Sequence, residues 1–398
     1  MKILMLTPYL PYPPASGGQI RTFYLLKYLS RNHDITLVSL YKHEKEKKYA
    51  KHLQTHCKAI HLCKRPESPW QPANILKAIF SRLPFLIVRN YSKEARSKVE
   101  ELLANEHFDV IHAETFYIMP HIPPTEIPIL LVEQTIEYKV YQHFLSSLPA
   151  FLRLPLSIDI HKLKNWENYY WSEADRVATV SEADKIEINR IAPKITPVVI
   201  PNGAGDEMFV EKLPKADFIN PTVLFVGNFS WLQNVEAAEK LVEKIIPQLS
   251  QKIPNLKCII AGQNSDLKLK HLSHPAVEIR DLAPSDSETV KELYHSATLF
   301  IAPIYGPGGT RLKILASLAS GLPVVSTRTG IEGLSVEDGK HVLVAQTPDE
   351  FVKKTLEILQ DKELYMTIQK QAYIHVKKDF SWESIAKKLE KVYRDIIA

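Results

Sequence analysis

A chain of 398 residues, 45% hydrophobic and 24% charged, has the length of two domains and a composition that excludes a long disordered or collagen-like protein. No apolar run approaches the roughly 18 residues of a membrane-spanning helix, and the opening segment 1–8 is too short for a signal peptide. Three scattered cysteines, Cys57, Cys63 and Cys258, offer neither a disulfide framework nor a zinc site, so a cytosolic protein without a bound metal is expected. The net charge of +5 is uneven: residues 1–100 hold eighteen Lys or Arg against six Asp or Glu, a local +12 that leaves −7 for the rest. An anionic partner of the N-terminal half, such as a phosphate-bearing lipid or an acidic membrane surface, accounts for this asymmetry, and so does a solvated lysine-rich helix face at Lys42 to Lys51. No nucleic-acid-binding motif is present, and none is expected as a partner.

In chain order, short apolar runs alternate with longer amphipathic stretches, the pattern of parallel strands joined by crossover helices, so the fold class is α/β. Strands are expected at residues 3–6, 35–40, 59–62, 110–113, 129–132, 177–180 and 198–200, with a helix over 19–30. A second series begins at 223–227 and continues at 257–261, 277–279, 299–303 and 324–326. Helices follow at 348–359, 361–377 and 381–397. Between the two series lies a stretch rich in Pro, Gly and Asn, from Pro201 to Asn220, which reads as a hinge. We therefore expect two Rossmann-like doubly wound domains facing a cleft: 1–200, 201–380, and a C-terminal helix 381–398 packing back towards the N-terminal domain. Ligands of such sheets bind beyond the carboxyl ends of the strands, so function is sought in the loops that follow them.

Three loops stand out. The first runs from Thr7 to Gly18, and its paired Gly17 and Gly18 at a helix start suit close approach of a phosphate or sugar, or simply a tight turn. The loop from Ala302 to Lys313 brings Gly306, Gly308 and Gly309 into a helix whose first turn carries Thr310, Arg311 and Lys313. Cations at a helix N-terminus are unfavourable unless an anion sits there, so this constellation points to a diphosphate. The third loop, Gly227 to Asn234, carries Asn228 and Trp231; Gly227 permits close ligand approach, Asn234 is placed to cap a helix starting at Val235, and Trp231 either meets a ligand or packs a surface.

These residues resemble the retaining glycosyltransferases of the GT-B fold, in the large family 4 or "group 1" set, over nearly the whole chain. The likeness rests on the Pro-rich Gly17-Gly18 loop, Phe108-Asp109-Val110-Ile111-His112, Ala178 to Asp184, and Val199-Ile200-Pro201-Asn202-Gly203. In the second half it rests on Phe225-Val226-Gly227 with Trp231 and Asn234, on Gly308 to Leu315, and on Gly321 to Thr327. The resemblance implies metal-independent transfer of a sugar from a nucleotide-diphosphate sugar to a glycan or lipid-linked acceptor, with no resident cofactor. It implies that the second domain binds the nucleotide and the first the acceptor. Arg311 and Lys313 would neutralise the leaving diphosphate together with the N–H groups of Gly309 and Thr310. Gly17, Gly18, Gly227, Asn228 and Gly308 would complete the donor site. Glu114 aligns with the histidine that many relatives use against the sugar; it would bind an acceptor or donor hydroxyl, or is a carboxylate at a strand end. Glu137 and Tyr138 occupy an acceptor-side loop in relatives, and His112 reads as a core histidine.

The chain departs from the family at three points. The paired glutamates fall at Gly308 and Ala316, and the Arg that commonly follows the first glycine loop is replaced in the region of Asn228 and Ser230. Two other functions share the fold: a catalytically silent nucleotide-sugar-binding partner and a sugar-nucleotide epimerase.

Overall fold

The computed structural model describes residues 1–68, 70–146, 149–306 and 311–398. The chain forms two compact units, one of Met1–Pro201 with Ala386–Ala398, the other of Asn202–Ile385.

In the first unit the strands are β1 (Lys2–Thr7), β2 (Asp34–Tyr41), β3 (Ala59–Lys64), β4 (Val110–Glu114), β5 (Ile129–Glu133), β6 (Arg176–Thr179) and β7 (Val198–Val199). They pair in the order β3-β2-β1-β4-β5-β6-β7, and every pairing is parallel. Parallel strands are covered by helices on both faces, so they read as continuous apolar runs rather than alternating ones. Ile3, Leu4, Met5 and Leu6 of β1 are accordingly all fully buried. The lysine-rich segment forms a short, largely exposed 3₁₀ helix, Glu44–Leu53. The longest helix, Ala150–Glu173, has no counterpart among the expected elements, because Pro149 and Pro155 read as breakers.

The second unit repeats the plan with β8 (Thr222–Val226), β9 (Lys257–Gly262), β10 (Val277–Asp281), β11 (Leu299–Ala302), β12 (Val324–Ser326) and β13 (Leu343–Val344). The order is β10-β9-β8-β11-β12-β13, again parallel throughout. The two-residue β13 was not foreseen, being too short to register as an apolar run.

In each sheet the winding reverses beside the first strand, between β1 and β4 and between β8 and β11. At such a switch point successive loops leave in opposite directions and open a crevice above the strand ends. No described helix is long and apolar enough to cross a membrane.

Candidate active site

In the second unit the loops after β8 and β11 flank the switch point. The loop after β8 lies directly on the end of β9. A side chain at Gly262, whose φ is +142°, would sit 1.8 Å from the carbonyl oxygen of Gly227, so only glycine permits this approach. The backbone is pinned there: Gly227 N–H donates to Ala261 O at 3.0 Å, Phe229 N–H to Gln263 O at 2.9 Å, and the Asn228 amide to Gln263 Oε1 at 3.0 Å.

Asn234 does not cap a helix beginning at Val235. The helix is Leu232–Lys240, with Trp231 at the N-cap position, and the buried Asn234 side chain bridges the two loops instead. Its Nδ2 donates to Asn228 O at 2.7 Å, and its Oδ1 accepts from Lys313 Nζ. Trp231 is 52% exposed.

Lys313 lies in the first turn of the helix Leu312–Ala319, with Arg311 at its N-cap. Its amine sits over the Phe225 ring at 4.9 Å and 3.3 Å from where a Gly227 Cβ would be. Burial, and then repulsion from Arg311, bring its pKa down from the usual lysine range to about 7. The Arg311 guanidinium donates to Gly306 O at 2.6 Å. Thus Gly227, Asn228, Arg311 and Lys313 gather at one strand-end crevice, whereas Gly308, Gly309 and Thr310 lie outside the described residues. Ala316 is partly exposed, one turn further along the helix that carries Lys313.

In the first unit Glu114 ends β4 and is fully buried. Oε1 meets His112 Nε2 at 2.9 Å and Arg21 Nε at 3.5 Å, and Oε2 accepts from Gln134 Nε2 at 2.5 Å. Burial acts to raise its pKa, but Arg21 and His112 outweigh it and hold the carboxyl at about 2. Both oxygens therefore have protein partners and the group stays ionised. His112 is a core histidine, its other nitrogen hydrogen-bonded to Tyr393 Oη at 2.5 Å. Gly18 is where a side chain would strike Tyr9 Oη at 2.1 Å and Gln134 Oε1 at 2.6 Å, so this glycine makes room for the Tyr9–Gln134 pair. Gly17 opens the helix Gly17–Leu29 and is exposed.

Glu137 and Tyr138 begin the helix Glu137–Ser146, and the Glu167 carboxylate accepts both of their N–H groups at 2.7 and 3.1 Å. Burial raises the Glu137 carboxyl to about 7, only partly opposed by Arg89. Tyr138 is a buried residue whose hydroxyl donates to Glu187. Sequence reasoning missed Arg21, Gln134 and Gly262. A charged residue on the inward face of an apolar helix, and a glycine ending a strand run, were the available signals.

Residues 220–361 match the family model Glycosyl transferases group 1. Over 369 residues, 88% of this chain and 89% of the relative, the sequence is 25% identical to an uncharacterized 44.6 kDa protein in cps region of Klebsiella pneumoniae. The fold matches sucrose-phosphate synthase from Thermosynechococcus elongatus with a TM-score of 0.72 at 16% identity, covering 100% of this chain and 99% of that one. It also matches Anabaena HepE in complex with UDP-glucose, with a TM-score of 0.67 at 15% identity over 99% and 100% of the two chains. The fold is GT-B.

Proposed function

We propose that this chain, a glycosyltransferase of the group 1 type, moves a sugar from a nucleotide-diphosphate sugar to a glycan or lipid-linked acceptor with retention and without a metal. In this reading the second unit takes the nucleotide diphosphate and the first takes the acceptor. The acceptor oxygen bonds to the anomeric carbon as the bond from that carbon to the diphosphate breaks. The diphosphate departs with the bonding pair, and a donor phosphate oxygen receives the acceptor proton. Arg311 and Lys313 act as the electrostatic partners of the departing charge.

The observation that carries this reading is Lys313. Its amine is desolvated, faces the repulsion of Arg311 and is held by a neutral amide rather than a carboxylate. A diphosphate beside it would reverse both penalties, which is the chemistry of a site built for an anion that comes and goes. A role in surface polysaccharide building is supported by the relative described from a cps region. A membrane-borne acceptor is supported by the helix Pro72–Phe80, where Leu76, Ile79 and Phe80 are 55, 62 and 85% exposed beside Lys77. We infer a cytoplasmic protein resting on the inner face of an anionic membrane.

The test is incubation of the whole chain with labelled UDP-, GDP- and ADP-sugars, with and without a cell-envelope lipid fraction. Transfer or slow donor hydrolysis by the wild type, lost in Lys313→Ala, is expected. Binding without turnover would favour the silent partner instead, a reading that Ala316 favours because, on the resemblance, the family's second glutamate would fall there. Absence of binding to any of the three nucleotides would overturn the assignment.

A further inference from the structure

Beyond the ends of β1 to β4, a cavity of about 130 Å³ is lined by Tyr9, Lys42, Arg65, Arg89, Asn90 and Tyr117, together with two prolines. Lys42 and Arg65 directly follow β2 and β3, Tyr117 belongs to the 3₁₀ turn after β4, and Arg89 and Asn90 end the helix Phe85–Asn90. The sequence pointed only to the Thr7–Gly18 loop that holds Tyr9 and to the basic stretch that Lys42 opens, not to this grouping, and none of these residues is among Gly227, Asn228, Arg311 and Lys313 of the donor site proposed above.

Three cations thus face one small space whose lining includes no acidic residue. Among the described residues none of the three forms an ion pair. The Arg65 guanidinium donates to Asn90 Oδ1, yet Nε of Arg65 and Nε of Arg89 are buried with no hydrogen-bond partner. Burial lowers the pKa of Lys42, and Arg65 and Arg89 lower it further. Arg65 is lowered by burial, which outweighs an opposing contribution from Tyr117; Arg89 adds a smaller lowering one and Glu46 a still smaller raising one. Three acidic groups outside the lining, Glu46, Glu137 and Asp159, interact with these cations, and Asp159 already accepts the Phe85 N–H at 2.9 Å. Glu46 accepts the backbone N–H groups of Lys42 and His43 at 3.4 and 3.0 Å, and burial already raises the Glu137 carboxyl. Half-buried like charges with buried, orphaned Nε donors are costly, and an entering anion relieves both penalties at once.

We propose that this cavity binds a phosphate or diphosphate group carried by the acceptor, separately from the donor diphosphate. The inference rests on reading the first unit as the acceptor-binding one. Arg65 and Arg89 offer directional N–H donors and Lys42 a point charge, suited to phosphate oxygens, with Tyr9 and Tyr117 completing the lining. The group reaches the cavity either as a lipid headgroup or on a water-soluble phosphorylated sugar.

The probe is inorganic pyrophosphate, titrated by calorimetry into the full chain held in saturating UDP so that the donor site is occupied. Wild type is expected to bind it. Lys42→Gln, Arg65→Gln and Arg89→Gln are each expected to weaken it about tenfold or more without changing UDP affinity. Among the described residues the Lys42 side chain makes no hydrogen bond, so its variant decides the matter should an Arg variant unfold. Vesicles of phosphatidylcholine with and without phosphatidic acid separate the two sources. Pyrophosphate-releasable binding to the acidic vesicles, lost in Lys42→Gln, assigns a lipid headgroup, and pyrophosphate binding without it assigns a soluble phosphate. A wild type that ignores pyrophosphate, or variants that bind it equally well, would overturn the proposal. If UDP itself fails to bind, GDP or ADP takes its place, and the donor reading falls only if all three fail; the titration repeated without nucleotide, comparing Lys42→Gln with Lys313→Ala, still decides the cavity.

Discussion

At Lys313 the charged and neutral forms of the amine are nearly balanced around pH 7, and that balance would give the proposed donor site a pH signature. A bound diphosphate favours the charged form, so above pH 7 each binding event must draw a proton from solution. Affinity then falls as pH rises, by at most about tenfold per pH unit, until the raised pKa of the bound state is reached. UDP titrations between pH 7 and 9 are expected to show this slope, and Lys313→Gln to flatten it while weakening binding at pH 7 by about tenfold or more. A wild-type affinity independent of pH over that range would remove Lys313 from the diphosphate site. Glu137 runs the other way. Its folded pKa of about 7 lies above the ordinary carboxyl value of 4.5, so the folded chain binds more protons than the unfolded one between these values. Its contribution to stability is therefore present below pH 4.5 and lost as pH rises through 7. Glu137→Gln is expected to stabilise the fold at pH 8 by on the order of 1–3 kcal/mol, read as a raised melting temperature, and to leave the melting temperature nearly unchanged at pH 4.5. Equal effects at the two pH values would mean that the carboxyl is not held in a desolvated setting.

Among the elements, the helix Pro72–Phe80 is unusual in showing apolar side chains to water: Leu76, Ile79 and Phe80 are exposed, and Trp70, just before the helix and stacked on Phe85, is itself 68% exposed. Electrostatics plus a modest apolar face gives reversible binding to anionic lipid that fades above physiological salt. Ile79→Glu or Phe80→Glu is expected to weaken sedimentation with vesicles containing anionic lipid at least several-fold, with little change in melting temperature because the removed side chains are already exposed. Equal partitioning onto neutral and anionic vesicles would discard the electrostatic part. How much of this was legible beforehand differs by element. Strands such as β1 and β9 announced themselves because burial on both faces leaves an uninterrupted apolar run. Helix Ala150–Glu173 did not, since an internal proline reads locally as a break. The bridge from Asn234 to Lys313 spans 79 positions and depends on two loops meeting at a switch point, and local cap chemistry favoured a different role for the asparagine. The cluster of Lys42, Arg65 and Arg89 registered only as excess charge, because two strand ends and a helix end far apart in sequence bring the three together.

The first unit is built from both ends of the chain, and its stability should be felt most sharply there. Residues 386–398 belong to it, and they bury Leu389 and Tyr393 completely and Val392 almost so. Their polar contacts reach the sheet and its edge: Tyr393 hydrogen-bonds His112, which supports Glu114. Glu390 meets Asn32 Nδ2 and His33 Nε2, each at 3.1 Å. Removing this segment would expose apolar surface and strip His112 of one partner. Each large buried side chain stabilises by about 1.5–3 kcal/mol, so the loss should reach several kcal/mol and fall on the first unit. A chain ending at Ile385 is therefore expected to melt with a transition lowered by about 10 °C or more, since 1 kcal/mol shifts a domain of this size by roughly 2–4 °C. Leu389→Ala should give a smaller shift in the same direction, and Tyr393→Phe a smaller one still, because it removes only the hydrogen bond. UDP affinity, measured well below that transition, is expected to survive the truncation, because Asn234, Arg311 and Lys313 all lie in Asn202–Ile385. Differential scanning calorimetry with and without UDP reads both quantities in one series. An unchanged lower transition in the truncated chain would show that residues 386–398 contribute nothing to the first unit's core.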